Sequence, residues 1–150
     1  MENLAKNGAC TAMAGNKRIL IAPTDEVESI DYTDFATKSV TFRSGFAFAE
    51  IQAENILLTA EGTGGAFEHR TTCRLSGTKW KYDSLFEKMA RQRWIVKVVD
   101  NNGQAWLSGS LSEPLLFEWT HHAGAKPTDE HVYELTFKRR MSEPLFATPL

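Results

Sequence analysis

The residues of this chain that could carry out chemistry are few and widely spaced. His121 and His122 are adjacent, and His131 follows the acidic pair Asp129 and Glu130. Neighbouring residues on a strand point to opposite faces, so His121 and His122 do not chelate one metal ion from a regular ladder. No nucleophile elbow, phosphate loop or metal-ligand spacing accompanies them. The sequence therefore predicts no catalytic, metal or cofactor site, and a protein that is not an enzyme.

Three other groups resemble chemical sites but each lacks a decisive feature. His69 and Cys73 could be a base and a nucleophile, yet four residues of strand separate them by roughly 13 Å. We expect both to be core residues. Residues 25–34 contain five carboxylates without the ligand spacing or glycine of an EF-hand, which favours a solvated edge. The Gly-Thr-Gly-Gly sequence of residues 62–65 lacks the Lys-Ser/Thr of a phosphate loop and predicts a hairpin tip.

Composition indicates one ordinary globular domain over residues 1–150. Hydrophobic residues make up 42% of the chain and charged residues 24%, and the net charge of −2 gives no overall attraction to nucleic acid or membranes. The N-terminus has no apolar run typical of a signal peptide, which predicts a cytosolic protein with Cys10 and Cys73 as reduced thiols. We expect an N-terminal arm over about residues 1–16 and a C-terminal tail over about residues 141–150.

The strongest local signal is a hairpin in the second half of the chain. The segment Trp94–Val99 is rich in the β-branched and aromatic residues typical of strands. The Asp-Asn-Asn-Gly sequence of residues 100–103 follows it, and a second apolar segment comes after that. Asn-Gly is the preferred pair for a two-residue hairpin turn, because both residues tolerate positive φ. The sequence therefore predicts a two-residue turn here.

One segment, residues 83–92, has the pattern of an amphipathic helix. Ser84 and Glu87 have the spacing of a capping box at its start, and Asp83 is an alternative cap. Leu85, Phe86 and Met89 form one apolar stripe, which predicts packing of the helix on a sheet.

The rest of the chain alternates polar and apolar residues with the period of β-strands. Phe46 and Phe48 are predicted on one face of a strand over residues 46–51. Alternation over residues 67–76, 115–120 and 131–139 predicts further strands, each with one buried face. The predicted fold class is mainly β: a two-sheet β-sandwich or barrel of about eight or nine strands, with a single α-helix packed on it.

From Thr71 onward, the order of these signals resembles the tail-tube and tail-tube-like proteins of tailed bacteriophages. In that pattern a polar-alternating strand leads into a short helix, a strand with an Asp-Asn-Gly-type turn, a strand ending in glycine, and two aromatic strands. The matching pieces here are Thr71–Ser76, Ser84–Arg91, Trp94–Gly103, Trp106–Gly109, Leu116–Trp119 and Tyr133–Phe137, with Gly124 in the last loop. The resemblance covers about half the chain.

The resemblance implies a non-enzymatic subunit that closes into hexameric rings, which stack into the tube through which DNA passes. Its partners would be copies of itself and other tail proteins, without a membrane or specific DNA binding, and its location would be the virion after assembly in the host cytoplasm. The residues expected to order against a neighbour are Asn16, Gly62, Thr63, Gly64, Gly65, Leu145 and Phe146. The candidate lumen-facing acidic residues are Asp25, Glu26 and Glu28.

Two alternatives remain open. The Glu-Pro pairs at residues 113–114 and 143–144 depart from the tail-tube pattern and leave room for another tail component, such as a terminator or completion protein. A small β-sandwich that binds a sugar or peptide would use exposed tryptophans. The four tryptophans alternate with apolar neighbours, which favours core packing instead; they are Trp80, Trp94, Trp106 and Trp119.

Overall fold

The computed structural model describes residues 15–76, 81–122 and 132–150. Predictions for Cys10, Trp80, Asp129, Glu130 and His131, and for most of the N-terminal arm, lie outside these residues. Within them the chain forms eleven strands, a short 3₁₀ turn at Thr24–Glu26 and one α-helix. The strands are β1 Asn16–Pro23, β2 Val27–Tyr32, β3 Lys38–Phe42, β4 Ala49–Ile51, β5 Glu54–Thr63, β6 Ala66–Ser76, β7 Arg93–Asp100, β8 Ala105–Ser108, β9 Leu115–His122, β10 Val132–Met141 and β11 Phe146–Thr148; the helix is α1 Lys81–Met89.

Nine of the strands form one antiparallel sheet that branches at β7. β7 pairs with β1 along one edge, and β1 continues to β4. Along the other edge, residues 96–99 pair with β8 and then β11, whereas residues 93–94 pair with β9. From β9 the sheet continues through β10 and β6 to β5.

The two arms of this sheet face each other across one hydrophobic core. Ile19 and Val98 of the β1–β7–β8 arm share a buried cluster with Leu135 and Phe137 of the β9–β10–β6–β5 arm. The Asn16 side-chain amide also donates to the carbonyl of Ile56, 3.1 Å away, which joins β1 to β5. The predicted mainly β, sandwich-like fold is confirmed.

The alternation of polar and apolar residues correctly identified the buried faces of the long strands. His69, Thr71 and Cys73 of β6 are buried, as are Tyr133 and Leu135 of β10. The prediction of His69 and Cys73 as core residues is therefore confirmed.

The helix packs on the core, as predicted, although its ends and one of its faces differ. It runs from Lys81 to Met89, so Asp83 and Ser84 both lie inside the first turn, and both predicted caps are wrong. Phe86 and Met89 are buried, but Leu85 is about half exposed because it lies beside the packed stripe and not on it. The helix ends where the indole of Trp94 donates to the carbonyl of Met89, 2.9 Å away.

The central hairpin forms, but its loop has three residues and not two. The register pairs Val99 with Ala105, and the amide of Asp100 donates to the carbonyl of Gln104, 2.9 Å away. Only Gly103 of the loop has positive φ, at 80°. This is the arrangement of a three-residue loop with glycine in the left-handed position. An Asp100 carboxylate oxygen that accepts from the amides of Asn102 and Gln104 stabilises it.

β2 and β3 form a separate two-stranded hairpin that covers the outer face of the β1–β7–β8 arm. A second buried cluster joins this hairpin to the β1–β7–β8 arm. Its buried residues are Ala22, Val27, Ile95 and Leu107, and the residues packed against them are Ile30, Val40, Phe42 and Phe48. The strand predicted over residues 46–51 is shorter than expected and begins at Ala49. Phe46 is exposed, whereas Phe48 turns inward to meet Phe42 edge to face at 4.9 Å.

Replacement of Thr71 by valine is expected to stabilise the fold by about 1 kcal/mol. Thr71 is fully buried, and its hydroxyl oxygen has no hydrogen-bond partner. Valine has nearly the same shape and leaves no unpaired polar group. Urea denaturation followed by circular dichroism measures the change. Thr72→Val, on the partly exposed opposite face of β6, serves as the control and should change stability by less than about 0.5 kcal/mol; a destabilised T71V protein would contradict the prediction.

Candidate functional site

The tip of the β2–β3 hairpin, residues 33–37, presents an aromatic side chain to solvent. Phe35 is 95% exposed and Tyr32, at the end of β2, is 57% exposed. The turn itself is ordered: the Thr33 amide donates to the Thr37 carbonyl at 2.9 Å, and the Ala36 amide donates to the Asp34 carboxylate at 2.8 Å. The hairpin tip therefore holds Phe35 outward on a hydrogen-bonded turn.

The base of this tip is joined to the C-terminal segment, residues 142–148, through Lys38. The ammonium of Lys38 forms an ion pair with the carboxylate of Glu143. The same ammonium lies 5.0 Å from the ring centroid of Tyr32 and 4.4 Å from that of Phe146. Tyr32 also donates to Glu143, which raises the pKa of Tyr32. Burial alone would raise the pKa of Glu143, but the hydrogen bonds from Lys38 and Tyr32, together with the charge of Lys38, lower it below its ordinary value.

His69 binds the same segment from beneath. Its Nε2 lies 2.8 Å from the carbonyl oxygen of Glu143, and its Nδ1 lies 2.9 Å from the hydroxyl of Ser108. A carbonyl can only accept, so Nε2 carries the proton and Nδ1 accepts from Ser108. Both side chains are about 1% exposed, so the pair is closed to a substrate. This serine–histidine contact is a buried anchor for the C-terminal segment.

A second contact anchors the start of the segment. The amide and hydroxyl of Ser142 both donate to the carboxylate of Glu113, with the amide nitrogen 3.2 Å from one oxygen. The hydroxyl and then the amide of Ser142 lower the pKa of Glu113. Glu113 and Glu143 belong to the two Ser-Glu-Pro sequences of the chain, so these two short repeats lie beside each other.

Stability is expected to fall as the pH decreases below about 6.5, because burial lowers the pKa of His69, more than the Glu143 carbonyl raises it. Below the ordinary histidine pKa, the unfolded chain binds a proton that the folded chain does not, which favours unfolding. The slope from one group is at most about 1.4 kcal/mol per pH unit. Urea denaturation at a series of pH values measures it. His69→Gln should reduce the slope of stability against pH. His122→Gln, at an exposed site, should leave this slope unchanged. Equal slopes in H69Q and wild type would contradict the assignment to His69.

A groove of about 320 Å³ lies between the β2–β3 hairpin, β7 and the end of the chain. We call it the hairpin groove; it is lined by Ser39, Val40, Phe42, Phe48, Lys97, Thr148, Pro149 and Leu150. Lys97 is its cation, with the ammonium 5.6 Å from the ring centroid of Phe48. Among the described residues, no carboxylate lies within 4 Å of the Lys97 ammonium. Burial, with a contribution from the charge of Arg18, lowers the pKa of Lys97.

A second, more open groove of about 500 Å³ runs beside α1 and Trp119. Next to it, His121 stacks on Tyr133 with ring centroids 4.4 Å apart, and its Nδ1 lies 3.4 Å from Asp83 Oδ1. Burial, with a hydrogen bond to Asp83, raises the pKa of Tyr133 to about 12. This is an arrangement of charged and aromatic groups without a nucleophile placed on a base.

The residues predicted to contact a neighbouring subunit lie in three separate parts of the structure. The sequence of residues 62–65 does form a hairpin tip between β5 and β6, with Gly64 and Gly65 at positive φ. Asn16 begins β1, on the far side of the sheet from Leu145 and Phe146 at β11. Within this chain, β11 pairs with β8, so residues 146–148 of the predicted tail form part of the sheet.

The candidate lumen-facing acidic residues lie at the start of the β2–β3 hairpin. We call residues 25–34 the acidic arm. Asp25 and Glu28 are exposed, and Glu26 is partly buried. Asp31 and Asp34 lie further along the same segment and are also exposed. The acidic arm therefore has the exposed carboxylates expected of a solvated acidic edge.

The adjacent histidines at the end of β9 do not point to one site. His121 faces Asp83, whereas His122 lies 3.6 Å from Glu134 on the other face. Over residues 15–76, 81–122 and 132–150, no three histidine, cysteine or acidic side chains group as metal ligands. Within the same ranges no helix is long and apolar enough to cross a membrane.

Two tryptophans, Trp94 and Trp119, pack in or against the core as expected, whereas Trp106 is only partly buried and belongs to neither core cluster. Trp94 is buried, and Trp119 packs against the core beside Phe86 and Tyr133. The indole of Trp106 donates to the Asp100 carboxylate at 3.2 Å and supports the hairpin loop.

The residues of the hairpin tip and hairpin groove were not predicted from the sequence. The available signal was a lone phenylalanine, Phe35, within a strongly acidic and polar segment, where a core residue is not expected. The groove has no sequence signal, because its walls come from four separate parts of the chain.

Comparison with known proteins identifies no relative. No family model matches the sequence, and no match was found among curated proteins or solved structures.

Proposed function

We propose that this chain is a structural subunit of a bacteriophage tail, which assembles into stacked hexameric rings that form the tail tube. The observation that carries the proposal is the order β6, α1, β7, β8, β9 and β10, with all five strands in one sheet and the helix on its core. This is the order on which the resemblance to tail-tube proteins depends.

Exposed strand edges and apolar side chains support a role in assembly. β5 is the last strand on its side of the sheet, and Leu57 on it is 57% exposed. A monomer normally protects such an edge, whereas a ring subunit pairs it with the neighbouring subunit. Together with Phe35 at the hairpin tip, this gives the chain two separate surfaces suited to contacts between copies.

The acidic arm suits a tube that DNA must pass without binding. Asp25 and Glu28 are exposed carboxylates, and phosphate is attracted by cations and repelled by carboxylates. We propose that Asp25, Glu26 and Glu28, at the start of the arm, face the lumen. The partners are then other copies of the chain and other tail proteins, and the location is the virion, after assembly in the cytoplasm of the host.

Negative-stain electron microscopy with light scattering over a wide concentration range tests the proposal. We expect rings or tubes of uniform bore, with a mass that is a multiple of the chain mass of 16.8 kDa. A strict monomer at every concentration would contradict self-assembly and favour a terminator or completion protein, or a binding module.

The groove beside Trp119 supports the second candidate, a small ligand-binding module. It is lined by Trp119, by three charged side chains of α1, Asp83, Glu87 and Lys88, and by Arg91 just after the helix. An aromatic ring with polar groups around it suits a sugar or a short peptide. Ligand-dependent quenching of tryptophan fluorescence that is lost in Trp119→Phe would favour this function.

A further inference from the structure

We propose that the hairpin tip of one copy inserts Phe35 into the hairpin groove of a second copy of this chain. The inference rests on the proposed function in one respect, namely that copies of the chain associate. It adds the residues that form one of the contacts between them.

The inserted group is unusual for the surface of a soluble protein. Phe35 is 95% exposed, and the adjoining Tyr32 is 57% exposed. Two hydrogen bonds with backbone amide donors hold the tip. The Thr33 amide donates to the Thr37 carbonyl, and the Ala36 amide donates to the Asp34 carboxylate. Because the tip is already ordered, binding loses little conformational entropy. A pre-organised exposed aromatic is the typical anchor of an interface.

The hairpin groove has the size and lining for such an anchor. Its 320 Å³ is at the lower end of the range of small-molecule clefts, roughly 300–1,000 Å³, and suits a single aromatic side chain. Phe42, Phe48 and Val40 supply an apolar wall. These three residues belong to the cluster that joins the hairpin to the sheet, so an inserted ring would extend an existing hydrophobic layer.

Phe35 does not fill the groove of its own copy. Its side chain is 95% exposed, although the tip lies close to the groove: the Ala147 amide, next to the groove residue Thr148, donates to the Ala36 carbonyl at 3.2 Å. The groove that receives Phe35 is therefore that of another molecule.

The charges of the two surfaces are complementary. Asp34 is exposed next to Phe35, at the end of residues 25–34, which carry five carboxylates. Lys97 lines the groove, and no carboxylate of the described part of the chain lies within 4 Å of its ammonium. Insertion of Phe35 brings Asp34 to the mouth of the groove that holds Lys97. This pairing gives the contact an orientation as well as an apolar anchor.

Tip and groove are different surfaces, so the contact is heterologous. Each copy that donates a tip still has a free groove, and each copy that accepts one still has a free tip. Such contacts generate a closed ring when the rotation closes and a filament when it does not. Both results agree with a tube-forming subunit.

Sedimentation velocity on the full chain, from low to the highest soluble concentration, is the test. Phe35→Ser removes the anchor, and Lys97→Glu reverses the charge of the groove. We expect each variant to weaken association by about thirtyfold or more, the loss typical of a hot-spot residue. Leu85→Ser removes an apolar side chain that is 48% exposed on α1, away from the tip and the groove, and should associate like the wild type.

Mixing the two variants gives the decisive result. The F35S protein keeps its groove and the K97E protein keeps its tip, so an equimolar mixture should form a one-to-one dimer and stop there. Circular dichroism confirms that both variants are folded.

The outcomes separate this inference from the proposed function. If F35S assembles like the wild type, the tip-in-groove contact is wrong while self-assembly stands. If the wild type forms no oligomer, both are wrong. A mixture that stays monomeric, with a wild type that assembles, also overturns the contact.

Discussion

Replacing Trp94 by alanine is expected to lower the free energy of unfolding by about 3–5 kcal/mol, the range for truncating a large buried aromatic side chain. Trp94 is buried and meets Phe137 edge to face, with ring centroids 6.2 Å apart. Its indole also donates to the carbonyl of Met89, so the same side chain fills the core and holds the end of α1 on β7. Urea denaturation followed by circular dichroism measures the loss.

Two further variants separate the packing of Trp94 from its hydrogen bond. Trp94→Phe keeps most of the apolar surface and leaves the Met89 carbonyl without its donor, so it should cost about 1–3 kcal/mol. Trp106→Phe removes an indole from a partly exposed position, beside Asp100, and should cost less. A loss below about 1 kcal/mol in W94A would contradict the assignment of Trp94 to the core, and would reopen its use in ligand binding.

The long strands could be predicted because their signal is local. One face of β6 and one face of β10 are buried, and residues two apart along a strand share a face. The alternation of polar and apolar residues around His69 and Cys73 therefore predicted both the strand and its buried face. The amphipathic helix was found for the same reason, because Phe86 and Met89 repeat with the helical period.

Turns and element ends were harder, because they depend on register. The Asn102-Gly103 sequence is compatible with a two-residue or a three-residue loop. The pairing of Val99 with Ala105 decides between them, and this pairing is fixed by the packing of both strands. In the same way, the start of α1 at Lys81 places Ser84 beyond the capping position, although the sequence motif is intact.

Contacts between distant parts of the chain had no usable signal. His69 and Glu143 are 74 positions apart in the sequence, and their hydrogen bond follows from the whole topology. The repeated Ser-Glu-Pro sequence was visible, but not its consequence, which is that Glu113 binds Ser142 while Glu143 binds Lys38. The hairpin groove belongs to the same class, since it forms only after the chain has folded.

Replacing Glu143 by alanine is expected to destabilise the chain by about 3 kcal/mol, near the lower limit for breaking a buried ion pair. The side chain of Lys38 is 5% exposed, so loss of Glu143 leaves a buried ammonium without a counter-ion. Tyr32 loses its acceptor at the same time. Thermal and urea denaturation measure the effect at neutral pH.

The opposite substitution should cost much less. In Lys38→Met the side chain keeps its packing between Tyr32 and Phe146, and Glu143, 27% exposed, stays hydrated. We expect a change within about 1 kcal/mol, and the double variant should recover most of the loss in E143A. Equal losses in both single variants would mean that the contact acts through packing alone. The asymmetry matters for assembly, because Lys38 begins β3, the strand that follows the hairpin tip and lines the groove. A loosened Lys38 should therefore weaken association between copies as well as the stability of each copy.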